Sequence, residues 1–183
     1  MKESMDRGGT PQRKKSVALV MTGLFAALTC VATMVLVIPS PTGGYMNLGD
    51  AVVLLGAFLL GPACGAVAGG IGAALADLLA GYAVYVPATL VIKALMGVTA
   101  GLLYRVAGKG RGPVGLAACG AAAEAIMVVG YWLYDGVLLG SLAGAAAGIP
   151  ANLAQAAFGL TAAALLTAAL RNVPGVHRMF PDV

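Results

Sequence analysis

From Val17 to Ile38 the chain runs without a single charged side chain. As a helix this run of about 22 residues crosses a hydrocarbon core of about 30 Å. A segment of that length and polarity has few other folds, because in lipid every backbone amide must find its partner inside the segment, and a helix does this. Arg13, Lys14 and Lys15 stand directly before it. That arrangement suits a cytoplasmic flank and also a signal peptide, but no cleavage pattern of small residues follows. We therefore read residues 1–16 as a basic cytoplasmic tail and Val17–Ile38 as a first membrane span.

The rest of the chain repeats the theme at shorter intervals. Leu48–Leu60, Gly65–Leu79, Ala88–Tyr104, Pro113–Tyr134 and Pro150–Leu170 are apolar runs separated by proline- and glycine-bearing breaks, as helix boundaries require. Composition agrees: 60% of residues are hydrophobic, 10% are charged and the mean hydropathy is +0.93, which excludes a solvated globular domain. Twenty-seven glycines suit helices that approach backbone to backbone in lipid. The expected fold is all-α: one compact bundle of six transmembrane helices over residues 17–170, with 171–183 a second tail and both termini cytoplasmic. Of eleven Lys and Arg, ten then fall in cytoplasmic tails and loops, and Lys93 alone lies inside a span, as the positive-inside rule asks. The net charge of +4 therefore reports orientation in the cell membrane rather than a nucleic-acid partner.

In that topology Asp77 and Lys93 flank an outward turn that contains Tyr82 and Tyr85. An ammonium at the centre of a span costs about 2.5 to 3.5 kcal/mol on insertion scales, so Lys93 should face a partner or a wet cavity. Asp77 and Glu124 are the carboxylates expected to meet it, either as a packing pair or around a solute. Asn47 and Asp50 open the second span, where a cap and the positive helix end account for both. Asn152 and Gln155, three apart, share one helix face; their amides can bond across helices or read the edge of a heterocycle. Tyr45, Tyr82, Tyr85, Tyr131, Trp132 and Tyr134 all fall on the external side and only Tyr104 on the other. An interfacial belt populates both sides, so the asymmetry points to aromatic residues around a pocket.

The first span carries no internal charge. Instead it has a stripe of Ala18, Thr22, Ala26 and Cys30 at four-residue spacing, with Gly23 and Ala27 beside it, which marks a close helix contact inside the bundle or with another subunit. Cys30, Cys64 and Cys119 lack metal or redox spacing, and the single His177 lies in the tail, so no metal site is expected. Asp77, Lys93 and Glu124 are titratable, but no nucleophile motif accompanies them. A membrane-embedded enzyme is accordingly disfavoured against a solute-binding protein, and a stand-alone small-solute transporter is the alternative.

Several segments together are similar to the substrate-binding S components of energy-coupling factor (ECF) vitamin transporters. They are Gly44-Tyr45-Met46-Asn47-Leu48-Gly49-Asp50, Ala76-Asp77 through Gly81-Tyr82 to Pro87 and Lys93, and the late Asn152-Leu153-Ala154-Gln155. The resemblance covers Lys14 to Leu170 and implies a binder of a vitamin or vitamin precursor, open to the outside. It also implies assembly with a transmembrane coupling subunit and two cytoplasmic ATPases. ATP would be used by those partners, with no cofactor in this chain, which has no phosphate-binding loop of the Walker type. The substrate-binding set expected here is Tyr45, Asn47, Asp50, Asp77, Tyr85, Lys93, Glu124, Tyr131, Trp132, Asn152 and Gln155. The stripe Ala18, Thr22, Gly23, Ala26, Ala27 and Cys30 is expected to dock on the coupling subunit. Pyridoxine or the hydroxymethylpyrimidine precursor of thiamine is the favoured solute, with riboflavin behind.

Overall fold

The structure, a computed structural model, describes residues 11–108 and 112–171 together with Val173 and Gly175. Most of the two terminal tails, and Lys109 and Arg111 of the basic loop, lie outside the described residues. Among the described residues, seven helices and one small hairpin follow in order: α1 (Pro11–Val35), β1 (Ile38–Pro39), β2 (Tyr45–Met46), α2 (Gly49–Leu60), α3 (Pro62–Leu79), α4 (Val86–Leu103), α5 (Gly112–Leu139), the single turn α6 (Leu142–Ala145) and α7 (Ile149–Arg171). A π-helical turn, Tyr104–Gly108, ends α4, and a 3₁₀ turn, Ala146–Gly148, leads into α7.

Five of these helices are long and apolar enough to cross a membrane. α2 is different: with 12 residues it spans about 18 Å, short of the hydrocarbon thickness. It is also the most enclosed helix, with nine of its twelve residues buried, and α1, α3, α4 and α7 pack around it. Its Val53, Leu54, Ala57 and Phe58 meet Met96, Leu116, Met127 and Ala163 in the main core. The outward faces of the long helices are apolar too: Leu19, Val20, Leu79 and Val137 are all exposed, as a surface bathed in acyl chains should be.

Glycine sets the closest helix approaches. A Cβ on Gly97 of α4 would lie 2.5 Å from the carbonyl carbon of Gly65 in α3, and one on Gly72 would lie 2.4 Å from the carbonyl oxygen of Ala26 in α1. At both positions any side chain would force the helices apart, so the small residues are what allow α1, α3 and α4 to touch.

The ends of the bundle differ. At one, a single residue, Gly61, turns α2 into α3; its φ of +86° falls where L side chains are strained, and Pro62 starts α3 at a position that needs no N–H. The Arg105 guanidinium lies against Gly61, about where a Cβ would stand. At the other end the hairpin pairs Ile38 with Met46 and Pro39 with Tyr45 and folds over the helix ends. We call this the lid end.

One sequence expectation is corrected here. The fifth apolar run, expected to end at Tyr134, does not stop there: α5 continues to Leu139, and residues 140–148, with the single turn α6, make the connection to α7. Tyr85 holds Asp135 on the added turn of α5. Gly140, at a φ of +62°, then ends the helix in the left-handed conformation that glycine supplies without strain.

Candidate functional site

At the lid end a pocket opens among the hairpin, α3, α4, α5 and α7. Its cavity volume is about 30 Å³, and about 380 Å³ of space lies within and before it when the solvent at its open mouth is counted. Six expected residues line it: Tyr45, Asn47, Asp77, Tyr85, Tyr131 and Asn152. Ser40, Thr42, Gly44, Thr89 and Asp135 complete the wall.

Hydrogen bonds fix most of this wall. The Tyr45 hydroxyl donates to Asp77 Oδ1 at 2.6 Å, tying the lid to α3. Tyr85 OH donates to Asp135 Oδ1 at 2.9 Å and lies 3.3 Å from the Thr42 carbonyl, so one phenol joins the α3–α4 turn, α5 and the lid. Burial first, and then the carboxylate each one faces, push the Tyr45 and Tyr85 hydroxyls above the ordinary phenol range, which keeps both as donors. Thr89 and Tyr131 share a hydroxyl–hydroxyl bond of 2.9 Å. The Tyr45 ring packs on Tyr82 with centroids 4.4 Å apart.

Beneath this wall lies a second polar layer, where the pairing differs from expectation. Lys93 forms its ion pair with Asp50, not with Asp77 or Glu124. Both side chains are almost fully buried. The reason is topological: α2 packs directly on α4 and brings its first turn level with Lys93, while Asp77 is taken by Tyr45. Asp50 is therefore no mere helix-end residue. The N-cap of α2 is Leu48, without a side-chain cap bond, rather than Asn47, which stands one residue earlier and accepts the Gly49 N–H on its Oδ1 at 2.9 Å.

Gln155 completes the layer. Its Nε2 donates to Asp50 Oδ2 at 2.7 Å and its Oε1 accepts the Asn47 N–H at 2.8 Å, so it bonds across helices while Asn152, one turn before it, faces the pocket. Glu124 is buried, with neither oxygen hydrogen-bonded; a Cβ on Gly159 would stand between Glu124 and Asp50. Lys93 Nζ lies 5.6 Å from the centroid of the Tyr131 ring, and that ring lines the pocket. Trp132 stands apart from the wall, its indole N–H donating to the Leu142 carbonyl at 3.0 Å.

Of the lining residues that the sequence reading passed over, two carried a signal. Thr89 lies midway between Tyr85 and Lys93 at four-residue spacing, and Asp135 lies four beyond Tyr131, so each shares a helix face with a residue already singled out. Ser40 and Thr42 reach the wall only through the hairpin register, which no local pattern announces.

The α1 stripe divides. Thr22 is buried and donates to the Ala18 carbonyl at 2.7 Å, Ala26 carries the contact with Gly72, and Cys30 is half-buried. Ala18, Gly23 and Ala27 are exposed, with nothing within 4 Å of the Cβ position of Gly23.

These features define a multi-pass helical membrane protein with a polar, aromatic pocket under a hairpin lid. The chain belongs to a known family of that kind, the S components of ECF-type riboflavin transporters, which it matches over residues 13–172. That family consists of transport subunits, not enzymes. It is also 49% identical over 72 residues to a Pyrococcus woesei protein described as an "uncharacterized protein in gap 3'region". That match takes in 39% of this chain and 48% of the relative, so the chain spans about half the length of that protein.

Proposed function

We propose that the chain is the solute-capturing subunit of an ECF importer, taking a flat, hydrogen-bonding vitamin or vitamin precursor from outside the cell. The observation that carries this reading is the pocket itself: aromatic rings and fixed polar groups converge under a hairpin at the end opposite Arg105. In this reading α2 counts as a short sixth crossing. Residues 1–16 and 171–183 lie in the cytoplasm with the basic loop, and the lid end faces out, consistent with the distribution of Lys and Arg. The hairpin closes over the bound solute.

Riboflavin, named by the family, joins pyridoxine and the hydroxymethylpyrimidine precursor of thiamine as the solutes to test. The exposed part of the α1 stripe, Ala18, Gly23 and Ala27, offers a surface for a transmembrane coupling subunit. Two partner ATPases would use the ATP. Mass spectrometry of solute carried through purification is the direct test, paired with uptake in cells with and without the coupling subunit and ATPases. A bound vitamin and uptake that needs those subunits support the reading. Uptake by this chain alone would overturn it in favour of a stand-alone transporter.

A further inference from the structure

The spans carry an uneven charge balance. Asp50, Asp77, Glu124 and Asp135 lie within the described apolar helices, and Lys93 is the one cationic side chain buried among them. Lys93 is spent on Asp50. It does not line the pocket, and among the described residues no Lys, Arg or His does. The wall instead presents two carboxylates, Asp77 and Asp135, which are 4% and 3% exposed. Asp135 is engaged by Tyr85. Asp77 Oδ1 accepts from Tyr45, Thr89 and the charge of Lys93 also act on this carboxylate, and its Oδ2 is buried without a hydrogen-bond partner.

A buried carboxylate whose nearest cation is paired elsewhere is costly. Around it stand the rings of Tyr45, Tyr85 and Tyr131, whose faces attract positive charge. Carboxylate and aromatic faces around one small volume form the surroundings that an alkylammonium or a protonated nitrogen heterocycle replaces its hydration with.

We propose that the solute of this pocket is an organic cation, anchored by a charge-assisted hydrogen bond to Asp77 Oδ2, with Asp135 and the three tyrosines holding the rest of the positive end. The inference rests on the reading of this pocket as the solute site. Within the vitamin class it separates amine-bearing solutes from neutral ones such as riboflavin.

Pyridoxamine and pyridoxine form a suitable probe pair, since they share one ring and differ by an aminomethyl group in place of a hydroxymethyl group. Calorimetry on the purified full chain in lipid nanodiscs at neutral pH, with riboflavin as a third probe, reads the difference. Pyridoxamine should bind at least about tenfold more tightly than pyridoxine, the scale of exchanging a neutral hydrogen bond for a charge-assisted one. Asp77→Asn keeps the shape and removes the charge, and should bring the two affinities together; Asp135→Asn should reduce the ratio in part. Melting curves of both variants show whether they fold, and if neither does, the ratio measured on the unaltered chain still decides. Equal affinities, tighter binding of pyridoxine or riboflavin, or a ratio that survives Asp77→Asn in folded protein would each overturn the inference while leaving a solute pocket in place. No binding of any probe, together with no solute carried through purification, would overturn the reading of the pocket itself.

Discussion

Replacing Lys93 by Met is the most informative single change in the buried layer. Lys93 is 2% exposed and its ammonium faces Asp50, which is fully buried. Methionine fills nearly the same volume, so packing changes little. What changes is charge: Asp50 keeps the Gln155 bond but loses its cation, with Glu124 near it. Removing one partner of a buried pair typically costs about 3–5 kcal/mol, whereas replacing both by matched neutral groups is often close to neutral. The expected outcome is therefore a loss of about 3–5 kcal/mol for Lys93→Met, part of which returns in Asp50→Asn/Lys93→Met. The recovery should fall short by about 1–3 kcal/mol, because the side-chain amide introduced at position 50 brings donors that the site leaves unmatched. Denaturant titration of the purified protein in mixed micelles, run as a double-mutant cycle, measures both numbers. A single variant as stable as the parent, or a double variant no better than the single, would refute the idea that Lys93 is held chiefly by Asp50.

Three further outcomes follow from the same geometry. Gly97→Val should destabilise by at least about 1–3 kcal/mol through overpacking, since its Cβ would meet the Gly65 backbone, while Gly23→Ala, in open space, should be silent; thermal midpoints in detergent separate them. Gln155→Leu removes the acceptor of the Asn47 N–H and a donor to Asp50, each worth about 1–3 kcal/mol if left unsatisfied. Hydrogen exchange across residues 38–48 should then quicken by at least about tenfold, and unchanged protection would show that Gln155 does not hold the lid. The folded state holds the Tyr45 and Tyr85 protons more tightly than the unfolded chain. Their contribution is therefore complete below the free phenol value of about 10 and is lost as pH rises above it. Stability measured from about pH 8 to about pH 12 should fall less steeply in Tyr45→Phe/Tyr85→Phe than in the parent.

The charge inference and the family name pull in different directions, and the difference is chemical. A neutral flavin would leave Asp77 Oδ2 to meet its ring or hydroxyl donors, whereas an amine would balance the carboxylate's charge as well. The probe pair reads this single property, independently of ring size.

The medium and the long helices were legible one segment at a time. Hydrocarbon thickness and side-chain transfer energies act on one segment at a time, so a charge-free run such as Val17–Ile38 declares its fold without reference to any neighbour. Lys93 announced itself as a residue needing a partner for the same reason. Which partner was a matter of tertiary structure: Asp50 lies 43 positions away and meets Lys93 only because the short α2 is enclosed by its neighbours and set against α4. The roles of Asn152 and Gln155, alike in sequence, were likewise separated only by the placement of α2 and the hairpin. Asp135 joined the wall because Tyr85 holds the last turns of α5 against the lid. Pairing between distant segments depends on the depth and rotation of each helix, and those are fixed by glycine contacts such as Gly65 with Gly97, which no single segment encodes alone.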